Sequence, residues 1–106
     1  MSALITSLEK RLADGKDDVL LRFGLGSAYV NEKQYEKALV HLEACIEQQA
    51  DYSAAYKLLA KTLIALDRKD SAAEILATGI PIAEAQGDKQ SVREMMVFKK
   101  RLEKDR

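Results

Sequence analysis

The chain has 106 residues, 47% of them hydrophobic and 32% charged, with 17 basic and 17 acidic side chains. That content is too apolar for a disordered chain and too evenly charged for a dedicated nucleic-acid binder or a polybasic membrane anchor, and the length suits one domain. The single cysteine, Cys45, excludes an internal disulfide and predicts a reducing compartment. No apolar run approaches the roughly 18 residues that a membrane span requires. The opening segment, residues 1–7, lacks the basic and apolar regions of a signal peptide, so a cytoplasmic protein is expected.

Apolar residues recur at helical spacing almost throughout, and no segment alternates as a half-buried strand would. The pattern predicts a first helix over 3–14, with Gly15-Lys16-Asp17-Asp18 ending it and capping a second over 18–31. After the turn Asn31–Gln34 comes a third helix over 34–49, and Ala50-Asp51 caps a fourth over 52–66. The turn Asp67–Asp70 leads to a fifth over 70–86, and Gly87-Asp88 closes it and caps a sixth over 89–104. Connections of two to five residues make neighbouring helices antiparallel.

A shift of 34 residues aligns the chain with itself. Leu25 meets Leu59, Gly26 meets Ala60, Tyr29 meets Leu63, Ala38 meets Ala72, Leu42 meets Leu76, Ile46 meets Ile80, and Asp17 meets Asp51. Small residues at Gly26 and Ala38 let paired helices approach, and the large apolar neighbours fill the space beside them. Leu25-Gly26-x-x-Tyr29, followed by Ala38 and Leu42, resembles the tetratricopeptide-repeat signature. Tyr56, Leu59, Ala60, Leu63, Ala72 and Leu76 repeat it more loosely. The resemblance implies an all-α, right-handed superhelical array of antiparallel helix pairs. It divides a single domain, 1–106, into an N-terminal half-repeat (1–17), two repeats (18–52 and 53–86) and a C-terminal capping helix (87–106). Leu4, Leu8 and Leu12 stand 34 residues before Ala38, Leu42 and Ile46, as a half-repeat requires.

The chain departs from the family where Arg22 and Tyr56 replace the usual Trp, and where Ala50 and Glu84 replace a frequent Pro. Its one proline, Pro81, lies inside the fifth helix and predicts a kink that Gly79 would ease.

Chemistry has few candidates. His41 and Cys45 are four residues apart on one helix, but no third group is specified to complete a catalytic or metal site. Cys45 is expected to be buried and inert, and His41 to face outward. Gly24-Leu25-Gly26 lacks the third glycine and the preceding strand of a dinucleotide fingerprint. The basic run Lys99-Lys100-Arg101 with Lys104 has no aromatic platform for nucleic acid. No enzyme, cofactor, metal, nucleic acid or membrane is therefore expected.

The resemblance implies instead a protein or peptide partner held on a concave face. The family's inward positions correspond to Leu20, Phe23, Ser27, Val30 and Asn31 in the first repeat. In the second they correspond to Ala54, Lys57, Lys61, Ile64 and Ala65. Leu20 with Phe23 would supply an apolar anchor, and Lys57 with Lys61 a basic one. Phe23 and Ser27 stand where chaperone-binding members carry Lys and Asn, so that carboxylate clamp is missing. A second surface is the stripe Val92, Met95, Phe98 and Leu102, with Met96 beside it. It reads either as a cap on the core or as a docking patch through which the module would self-associate.

Overall fold

The computed structural model describes residues 2–105; Met1 and Arg106 lie outside them. Among the described residues the regular structure is helical: α1 Ala3–Ala13, α2 Val19–Asn31, α3 Tyr35–Gln48, α4 Ser53–Ala65, α5 Lys69–Gln86 and α6 Lys89–Lys104. No helix end differs from the sequence expectation by more than one residue. The chain divides into two compact units, Met1–Ala50 with α1 to α3 and Asp51–Arg106 with α4 to α6.

Local chemistry starts and stops these helices. The Ser2 hydroxyl accepts the amide of Leu4 at 3.1 Å, and Asp18 Oδ1 accepts that of Leu21 at 2.8 Å. Each satisfies an amide that the first turn leaves unpaired. Asp88 does the same for Ser91 at 3.1 Å, after Gly87 has ended α5 in the left-handed region at φ 71°. Asp51 was expected to cap α4, but Tyr52 holds that position with no side-chain bond. The α2–α3 and α4–α5 turns are copies. Lys33 (φ 57°) and Asp67 (φ 59°) occupy the left-handed region 34 residues apart. The flanking bonds also match: Gln34 N to Tyr29 O and Arg68 N to Leu63 O, both 2.9 Å.

In the first unit α2 packs on α3 through Leu25, Ala38, Leu39 and Leu42, all buried. Full burial of such a leucine contributes about 1.5–3 kcal/mol. Gly26 makes the approach possible: a Cβ there would sit 2.5 Å from Leu42 Cδ2 and 2.6 Å from its Cγ. In the second unit α4 packs on α5 through Tyr56, Leu59, Ala60, Ala72 and Leu76, and α6 closes it with Met95 and Leu102. Gly79 is a packing position. A Cβ on it would lie 2.6 Å from Tyr56 Cβ and 3.1 Å from Met95 Sδ, so it permits close packing of α5 beneath α4 and α6. The α5 helix runs unbroken through Pro81. The Asp88 carboxylate joins two helices, taking the Ser53 hydroxyl at 2.6 Å on one oxygen and the α6 amide on the other. Those two bonds hold its pKa below the usual carboxylate range.

Candidate interaction surfaces

A polar network runs through the first unit. Arg22, in place of the family's Trp, forks onto Asp17 with Nε 2.8 Å from Oδ1 and Nη2 2.9 Å from Oδ2. Gln48 adds a donor to Asp17 at 2.8 Å. The bonds from Arg22 and Gln48 hold the Asp17 carboxyl down to about 2. Arg22 Nη1 also lies 3.0 Å from Nδ1 of His41. The outward orientation expected for His41 is therefore incorrect. Its ring is buried, stacked on Tyr29 with centroids 5.6 Å apart, and its Nε2 is 3.9 Å from Glu9 of α1. Helical spacing placed His41 off the α2–α3 seam but did not reveal that α1 and Arg22 cover that side. Tyr29 donates its hydroxyl to Glu9 at 2.7 Å; burial, followed by that bond, pushes its pKa up to about 12. The network thus ties α1 and its linker to both helices of the repeat.

His41 and Cys45 turn to different partners. The Cys45 thiol is fully buried and directed at Val19 O, 3.7 Å away, and burial pushes its pKa up. Among the described residues no group of three or more His, Cys, Asp or Glu side chains is placed to hold a metal ion. None of the described helices is long and apolar enough to cross a membrane.

Of the inward positions on α2, Leu20 is 69% exposed, Phe23 and Ser27 are half-buried, and Asn31 is exposed. Val30 is buried, so its side chain belongs to the core. On α4, Ala54 and Ile64 are half-buried, while Lys61 and Ala65 are exposed. Lys57 is already engaged, with Nζ 3.2 Å from Glu94 of α6 and its side chain 24% exposed. The Lys57–Lys61 pair expected from spacing is thereby divided. On α6, Met95 and Leu102 are buried and Val92 and Phe98 half-buried. That stripe closes the core and does not form an exposed patch, because α5 and α4 meet it.

Each unit has a concavity among its described residues that spacing did not indicate. In the first unit a hollow of about 530 Å³ is lined by Leu8 and Arg11 of α1, Lys16 and Asp18 of the linker, and Leu20 and Leu21 of α2. In the second, a cleft of about 390 Å³ between α5 and α6 has Leu76, Ile80, Pro81 and Leu102 against Lys99 and Glu103. The signal for the first was available in the half-repeat. Leu8 and Arg11 are three residues apart on one face of α1, next to the α2 start.

A family model described as tetratricopeptide repeat matches residues 29–91. The chain belongs to the tetratricopeptide-repeat family. A TPR repeat-containing protein of Pseudomonas aeruginosa is 43% identical over 103 residues, covering 97% of this chain and 98% of that one. The solution structure of a Bordetella parapertussis protein is 39% identical with a TM-score of 0.85, covering 99% and 91% of the two chains. The crystal structure of a tetratricopeptide repeat domain protein from Salinibacter ruber is 29% identical with a TM-score of 0.74, covering 81% and 97%. The tetratricopeptide-repeat fold generally mediates protein–protein interaction, and its members are generally non-catalytic. This tetratricopeptide-repeat chain has the all-α helical array that its resemblance to the family implies.

Proposed function

We propose that this chain is a non-catalytic adaptor that holds a short segment of a partner protein, with the hollow between α1 and α2 as its main contact. The observation that carries the reading is Leu20. A leucine 69% exposed stands at the mouth of a hollow whose wall includes Leu8 and Leu21. Arg11 and Lys16 border the same space. An apolar side chain with an acidic neighbour fits this lining, the first displacing water from Leu8 and Leu20 and the second facing the two cations. Phe23, Ser27 and Asn31 extend the face along α2. In the second unit Ala54, Lys61 and Ile64 of α4 offer a further contact of the same kind.

A short segment covers little surface, so affinity of about micromolar strength is expected. Selection from a displayed random peptide library, followed by titration of the selected peptide into isotopically labelled chain, tests the proposal. Amide shifts should centre on Leu8, Arg11, Lys16, Leu20 and Leu21. Leu20→Asp should abolish binding while the melting temperature is kept. Lys16→Ala with Arg11→Ala should weaken binding modestly and flatten its salt dependence, since exposed ion pairs contribute only about 0.2–1 kcal/mol each. Normal affinity in both variants would place the site elsewhere.

A further inference from the structure

The α6 helix buries Met95 and Leu102, and its opposite side is a stripe of Lys89, Arg93, Met96, Val97, Lys100 and Lys104, all exposed. Four cations and two apolar residues lie there. Of the two acids of α6, Glu94 is taken by Lys57 at 3.2 Å, and Glu103 stands at the margin between the stripe and the α5–α6 cleft. Lys89 with Arg93, and Lys100 with Lys104, are like charges one turn apart, an arrangement that weakens an isolated helix. A face that is merely solvated intersperses the two signs.

The α3 helix shows the reverse pattern. It buries Ala38, Leu42 and Cys45, and its outer side carries Glu36, Val40, Glu43 and Glu47, all exposed, with Val40 59% exposed. These residues advance in steps of four, three and four, as do Lys89, Arg93, Met96 and Lys100 on α6. Laid antiparallel, one register sets Glu47 against Lys89, Glu43 against Arg93, Val40 against Met96 and Glu36 against Lys100. The parallel direction offers a similar match over Arg93, Val97, Lys100 and Lys104, but only the antiparallel one opposes the helix dipoles.

We propose that the chain self-associates by laying α3 of one copy antiparallel along the exposed stripe of α6 of a second copy. Val40 fills the space over Met96 and Val97, and Glu43 and Glu47 neutralise the cations on either side. A second copy is the occupant because both halves of the match belong to this one sequence, and the formal net charge of zero sets no long-range repulsion between copies. The contact joins two different faces, so it passes from copy to copy unless symmetry closes it. Four residues a side fall short of the standard interface, so association should need about 0.1 mM chain or more.

Sedimentation velocity on the full chain from about 0.01 to 1 mM in low salt tests this. The mass should rise with concentration and fall back on raising the salt. Lys89→Glu with Arg93→Glu should remove the rise, as should Glu43→Lys with Glu47→Lys. All four substitutions together exchange the signs, leave the net charge unchanged and should restore it. Melting by circular dichroism confirms that each variant is folded, since every substituted side chain is exposed. A wild-type chain that stays monomeric to the highest concentration overturns the proposal, as does association indifferent to either pair or not restored by the fourfold exchange.

Discussion

Arg22 Nη1 lies 3.0 Å from His41 Nδ1, and a guanidinium can only donate, so the imidazole accepts at Nδ1 and carries its proton on Nε2, facing Glu9. His41 is therefore held neutral. Burial lowers its pKa most; Glu9 opposes that shift, and Arg22 adds to it.

This arrangement predicts a pH dependence. With a folded pKa below the unfolded one, stability is complete above about 6.5 and is lost as pH falls from there through the lowered folded value. Protonation would put two donors, Arg22 and Nδ1–H, against each other. The melting temperature should fall between pH 7.5 and 5, and the decline should be smaller in His41→Gln, which cannot gain the charge. Equal slopes for the two proteins would contradict a neutral, Arg22-bonded His41. Asp17, held down to about 2, titrates well below this window.

Gly24 and Gly26 lie two residues apart on one helix but should respond oppositely to alanine. A Cβ on Gly24 meets only Leu8 Cδ1 at 3.6 Å, an ordinary contact. Gly24→Ala should therefore gain up to about 1 kcal/mol from helix propensity. A Cβ on Gly26 would overlap Leu42, which is fully buried and has nowhere to move. Gly26→Ala should cost about 1–3 kcal/mol despite the same propensity gain. Denaturant unfolding of both variants decides the matter, and equal midpoints would mean that Gly26 is not a packing position.

The repeated turn offers a third test. Lys33 adopts φ 57°, a conformation costly for a residue with a Cβ and natural for glycine. Lys33→Gly should raise stability by about 0.5–1 kcal/mol, while Lys33→Val, β-branched, should lower it. Asp67→Gly should gain less, because Asp tolerates the left-handed region better than Lys does. Identical thermal midpoints for Lys33→Gly and Lys33→Val would show that this turn stores no strain.

Periodicity and register along the chain determined the six helices, their ends, the family and the small position at Gly26, because each rests on contacts between neighbouring turns or on a pattern stated twice. Burial of Cys45 was legible for the same reason, since its helix presents one continuous apolar face. Tertiary structure alone decided the surroundings of His41, which depend on α1 and Arg22 lying over it. It also decided the pairing of Lys57 with Glu94, 37 residues away, and the place of Gly79 under Tyr56 and Met95. A helical wheel shows which way a side chain leaves its own helix. Whether water, a carboxylate or another helix waits there depends on elements distant in the chain, and that separated the residues that remain available to a partner from those already committed to the core.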